Sequence, residues 1–173
     1  MLFTRMLRAA LFDRALYDDL RQDPVALGQA MAIIVLAILA VVIGSTISSA
    51  VNDKPRLDLV LRWLLYMPGI WLLPATSLFV LGGLARVANP ARGSNRDLLI
   101  AIGFSASPGV LFLALGLPSP VGFLIGQFIM AWMIASMVLS AKAILQIGLF
   151  RAIAFVAPGI LMYLLFASIA APS

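Results

Sequence analysis

The chain contains no cysteine, no histidine and no glutamate. Without cysteine there can be no disulfide, thiolate nucleophile or thiolate metal site. Without histidine the commonest metal ligand and the commonest general base at neutral pH are missing. Only seven aspartates supply side-chain carboxylates, and none lies in a long apolar run. Charged residues make up 11% of the chain, less than half the share usual in a soluble domain. These absences point away from an enzyme, from a metal centre and from any bound cofactor.

What is present is apolar. Hydrophobic residues form 63% of the 173 positions, which in water would leave large exposed apolar patches. A lipid bilayer is the solvent that suits this composition. Five uncharged stretches reach the roughly 20 residues a helix needs to cross the hydrocarbon. They are Val25–Val51, Trp63–Ala85, Leu98–Leu117, Val121–Ala141 and Ala152–Ala171. Leu98 to Ala141 contains 44 consecutive uncharged residues. That is too long for one span, and Pro118-Ser119-Pro120 breaks it into a hairpin because proline lacks the N–H a helix needs. The expected fold is an all-α integral membrane bundle of five transmembrane helices, residues 25–173, preceded by a cytoplasmic segment, residues 1–24.

In that segment Leu2, Phe3, Met6, Leu7, Ala10 and Leu11 share one helical face, and Thr4, Arg5 and Arg8 the other. The pattern predicts an amphipathic helix in the membrane interface with its arginines on lipid phosphates. It weakens from Phe12 to Arg21, where charges of both signs mix. Asp23-Pro24 is a helix-start signal for the first span. The first apolar run has 27 residues behind 24 others, too long for the core of a cleavable signal peptide.

With five spans, nine of the twelve basic residues fall on the side of the N-terminus and three on the other. The positive-inside rule then places the N-terminus in the cytoplasm and the C-terminus outside. The same rule accounts for the net charge of +5 without nucleic acid, since no run of five basic residues forms a phosphate patch. No ionisable side chain lies inside a span, which argues against proton relays, ion-coupled transport and voltage sensing. A passive pore lined by backbone and hydroxyls stays open.

Prolines interrupt three spans, at Pro68 and Pro74, Pro108 and Pro158. Each removes the partner of the carbonyl four residues earlier: Leu64, Ile70, Phe104 and Ala154. In lipid those carbonyls need other donors, and Ser105 and Ser107 stand near Pro108. The prolines read either as static packing kinks or as bends around a cavity. Small residues recur four apart at Gly44/Ser48, Gly103/Ser107, Gly122/Gly126 and Ser136/Ser140, a spacing that lets helices approach closely within a bundle or across a dimer. Gln127, Trp132 and Tyr163 are the polar or amphipathic side chains at depth, with Gln127 and Tyr163 expected to bond across helices. Ala143 to Phe150 either continues the fourth helix or turns along the interface.

The stretch GSNRDLLIAIGFSASP (Gly93–Pro108) resembles the start of the third span in the Yip family, the Ypt/Rab-interacting membrane proteins, with Phe104 where that family usually has tyrosine. WMIASMVLSAKAIL (Trp132–Leu145) is similar to its fourth span, and FVAPGILMYLLFASI (Phe155–Ile169) to its last. LYDDLRQDPVAL (Leu16–Leu27) is similar to the approach to its first. The resemblance implies five spans and a cytoplasmic N-terminus. It also implies a non-enzymatic adaptor or scaffold that binds another membrane protein, itself or the lipid surface. The short N-terminal segment is like that of bacterial members, which implies a bacterial inner membrane. The surfaces expected to carry interactions are the amphipathic helix (Phe3, Arg5, Leu7, Arg8) and the connection containing Arg86, Arg92 and Arg96. The alternatives are a small channel or facilitator, and an accessory subunit of a larger membrane complex.

Overall fold

The computed structural model describes residues 2–51, 57–88 and 94–170, with only the helix described at 57–68, 88, 167, 169 and 170. Every described element is helical. Two short helices, α1 (Leu2–Ala10) and α2 (Arg14–Gln22), precede α3 (Ala26–Val51) and α4 (Leu57–Ala88). Next come α5 (Asn95–Ser105), a 3₁₀ helix (Ser107–Gly116), α6 (Val121–Leu145) and α7 (Leu149–Ala170). Five helices are long and apolar enough to cross a membrane, the third formed by α5 and the 3₁₀ helix together. The protein is an all-α integral membrane bundle.

Helix ends follow the local chemistry. Asp13 Oδ1 accepts from the Ala15 N–H at 3.0 Å and starts α2. Asp23 Oδ1 accepts from the Val25 N–H at 2.9 Å just ahead of α3. Ser94 and Asp97 form a reciprocal capping box at the start of α5, which satisfies two orphan backbone donors. The third span therefore begins at Asn95, three residues ahead of the uncharged run. Likewise α7 starts at Leu149, ahead of the expected Ala152. Ala143–Leu145 extend α6, and the chain then turns through Gln146 in the left-handed region (φ 50°).

The third span changes its winding at Pro108. Ser107 Oγ donates to the Phe104 carbonyl at 2.7 Å, the group that proline leaves without its helical donor. Ser105 Oγ donates to Ile102 O at 2.6 Å, and Gly109 N–H reaches Ala106 O at 2.8 Å in the tighter i−3 pattern. Beyond this point the span rises about 2.0 Å per residue instead of about 1.5 Å.

Packing places the third span at the centre. In its most apolar eighteen residues 72% are buried, against 17% in the fifth span. Its glycines set the approach of α3. A Cβ on Gly103 would lie 2.5 Å from Ala30 Cβ, on Gly109 2.9 Å from Ala37 Cβ, and on Gly116 2.8 Å from Ile47 Cγ2. On the α3 side, a methyl on Gly44 would overlap the Phe112 carbonyl. The partners rise together along both helices, so α3 and the third span run parallel. Ala30, Ala37 and Gly44 recur at seven residues, the repeat of a left-handed seam.

A second pair is antiparallel. Gly69 lies against Tyr163, Gly159 against the Leu73 carbonyl and Pro74, and Ser77 Oγ donates to Phe155 O at 2.7 Å. These contacts step every four residues on α4 and α7. Pro74 thus meets Gly159 where the helices cross, with Pro158 exposed beside it, and the Ser77 hydroxyl serves a carbonyl in the turn that Pro158 disturbs.

Because these seams have no room for a methyl, Gly44→Val and Gly103→Val should each destabilise the bundle by about 1–3 kcal/mol through overpacking. Gly83→Ala, where the added Cβ meets nothing within 4 Å, should leave it unchanged or slightly firmer. The check is the temperature at which half of the detergent-solubilised protein is still monodisperse.

Candidate functional site

Most of the described charged side chains gather at one end of the bundle, where α2 ends, α3 and α5 begin and α6 ends. Arg96, at the start of α5, donates to Arg21 O at 3.2 Å and to Asp23 O at 2.5 Å. Arg21 Nη2 donates to the Ile144 carbonyl at the last turn of α6, where a cation also meets the negative end of the helix dipole. Arg5 Nη1 pairs with Asp23 at 2.5 Å and bonds Gln29 Oε1 at 2.7 Å. Arg86 bonds Asn95 Oδ1 at 2.5 Å across the α4–α5 connection. The N-terminal segment, the second connection and the end of the fourth span therefore share one end, as the charge pattern requires.

The N-terminal helices are clamped to the bundle by apolar as well as ionic contacts. Met6, Ala9 and Ala10 of α1 are buried, while Phe3, Leu7 and Leu11 remain exposed. The apolar face of α1 is thus split between protein and surroundings. Leu16, Tyr17 and Leu20 of α2 are buried, the first and last completely. Trp132 Nε1 donates to Ala10 O at 2.9 Å.

Tyr17 lies beside Ser140 and Ser136, and burial pushes its phenol well above the usual range. The phenol is therefore neutral at physiological pH. Ser136 Oγ and Arg21 Nε are buried without a hydrogen-bond partner among the described residues.

The arginines of α1 engage the chain's own carboxylates where lipid phosphates were expected. Arg8 meets Asp13 at 2.6 Å and Asp19 at 3.1 Å. The hydrogen bond from Arg8 holds the Asp13 carboxyl below its ordinary value, with the Ala15 N–H adding to the effect. Asp23 is lowered first by the Val25 N–H and then by Arg5. Arg92 lies outside the described residues, and of Pro68 only its place in α4 is described.

The remaining singled-out residues serve packing inside the chain. Gly103, Pro108, Gly122 and Gly126 are buried. A Cβ on Gly122 would lie 2.6 Å from the Leu117 carbonyl, so that glycine lets the chain fold back after the 3₁₀ helix. Tyr163 is half-buried over Gly69. Gln127 is exposed, which corrects its reading as a buried cross-helix partner. Its place one and a half turns from the start of α6 lets the amide reach the far interface.

Two contributors escaped the sequence reading although their signals were there. Leu16, Tyr17 and Leu20 have the i, i+1, i+4 spacing of a buried stripe, obscured by the intervening charges. Ser94-x-x-Asp97 has capping-box spacing. Among the described residues no group of three or more metal-ligating side chains converges. No family model, curated protein or solved structure matches the chain.

Charge-assisted hydrogen bonds of the Arg96 type are worth about 1.5–3 kcal/mol. Arg96→Met should therefore raise tryptic cleavage at exposed Arg14 by roughly ten- to a hundredfold where local opening limits the rate. An unchanged cleavage rate would remove Arg96 as a clamp. Asp13 and Asp23 have depressed folded-state values, so their contribution is complete above the ordinary carboxylate value of 3.8. It is lost as pH falls below that value through the lower folded ones. The α1–α2 hairpin, probed below pH 3.8 with an acid-active protease that cuts at its apolar residues, should open; at pH 5 to 8 it should stay protected.

Proposed function

We propose that this protein is a non-enzymatic, Yip-like membrane scaffold or adaptor. It sits in a bacterial inner membrane with its N-terminus in the cytoplasm and its C-terminus outside. It acts by binding another membrane protein or by shaping the bilayer. The observation that carries this reading is the occupied centre of the bundle. The third span lies where a conducting path would run, and its glycines close the space to α3. The guanidiniums of Arg5, Arg8, Arg21 and Arg96 hold internal carbonyls and carboxylates. A solute would find few polar groups free to bind it.

The α4–α7 pair supports binding to a protein partner. Leu161, Leu164, Leu165 and Phe166 of α7 are all exposed, and this helix forms a broad apolar face at the edge of the bundle. Such a face suits lipid alone or a neighbouring span. An accessory-subunit role is the second reading that this face favours.

Extraction in mild detergent should yield a stoichiometric membrane-protein partner, and Leu161→Trp with Leu165→Trp should weaken that association at least tenfold without altering the fold. The purified protein in liposomes should give no saturable solute flux. Reproducible saturable flux would replace the adaptor reading with that of a facilitator.

A further inference from the structure

We infer that the α1–α2 hairpin enters the leaflet at the charged end of the bundle obliquely, as a wedge whose ligand is the acyl-chain layer of that leaflet. Levels along the bundle set its depth. Near the start of α1, Arg5 bonds Gln29, one turn into α3. At the end of α1, Ala10 O accepts from Trp132. Trp132 adjoins Met133, whose Sδ lies 3.2 Å from the Cβ position of Gly109, itself 2.9 Å from Ala37 Cβ. The two anchors thus lie at the levels of Gln29 and Ala37. Eight residues of α3 correspond to about 12 Å at ~1.5 Å per residue. Arg5 and Ala10 are separated by only about 7.5 Å of helix, so α1 descends steeply between them and the long Arg5, Gln29 and Trp132 side chains span the rest. A helix lying flat in the interface would keep both ends at one level.

The surface lies near the level of Gln29, because Asp23, Arg86 and Arg96 cluster beside it. Leu7, Leu11 and Phe12 are exposed by 52%, 66% and 38%, and in an integral membrane chain an exposed surface at the deeper level faces hydrocarbon. The hairpin tip also brings charge down with it. Arg8 is neutralised by Asp13 and Asp19, and Arg14 and Asp18 are exposed next to them. Ionisable groups below the surface are tolerated when paired and when the bilayer thins locally to bring in water and headgroups. The wedge therefore displaces acyl chains and draws headgroups inward in one leaflet, beside α6. This deepens the membrane-shaping part of the proposed function, yet it needs no protein partner.

The absence of cysteine allows a direct test. Phe3→Cys, Leu7→Cys and Leu11→Cys, all at exposed positions, would carry nitroxide labels in the full chain. The host would be vesicles of phosphatidylcholine and phosphatidylglycerol. The ratio of collisions with oxygen to collisions with a water-soluble nickel chelate should rise from position 3 to 7 to 11, with position 11 about 10 Å deeper, the descent given by the helical rise. Equal ratios at all three would mean a flat helix and overturn the wedge. So would high nickel access at position 11, which means water, or poor access to both reagents there, which means cover by a second copy or another protein. Partner capture does not enter these readings, so failure of the adaptor reading and failure of the wedge are separable.

Discussion

The bundle depends on how closely two backbones approach along the α3–third-span seam. In hydrocarbon there is no water to drive apolar surfaces together, so helices associate through close packing and a few polar contacts. The seam provides this by leaving out side chains at Gly44, Gly103, Gly109 and Gly116 and using alanine opposite at Ala30 and Ala37. Once α3 and the third span are held this way, the third span can be covered by α6 on another side. The N-terminal helices then have a fixed surface on which to dock. The α4–α7 pair is a second unit with a four-residue rhythm, attached more loosely to the first.

Several of the polar groups are matched to backbone carbonyls. Ser107 serves Phe104, Ser77 serves Phe155, and Arg21 and Arg96 serve carbonyls at helix ends. Trp132 serves Ala10. A chain with 11% charge has few such groups, and most of the described ones hold the fold. For that reason a functional reading has to come from surfaces. The exposed apolar edge of α7 and the lipid-facing side of the N-terminal hairpin are the two that stand out.

Much of the fold was legible in residue order. Uncharged runs gave the five spans because hydrocarbon excludes charge over a length that helical rise fixes. The proline-serine-proline break gave the hairpin, and Asp23 gave the start of α3. Helix ends were read less well, since Asn95–Asp97 and Leu149–Arg151 are helical yet carry the polar and charged groups that ended the hydropathic runs. Harder still was the destination of the N-terminal arginines. Amphipathic spacing shows that Arg5 and Arg8 share a face, but it cannot show that Asp13, Asp19 and Asp23 fold back to meet them. Gln127 was misplaced because an amide in an apolar run has no neighbour in sequence to say which face it occupies. The change to 3₁₀ winding was equally invisible: Pro108 announces a disturbance without stating its form.

The docking of α1 and α2 has a consequence for how the chain is made. Ala10 is bonded to a residue 122 positions later, and Arg21 to one 123 positions later. At roughly 5–20 residues per second of synthesis, the first two helices emerge about 6 to 25 seconds before the surface that receives them. During that interval their apolar stripes and arginines have only the membrane, or an assisting protein, for company. These two helices, made before the surface that receives them, are therefore among the last to settle.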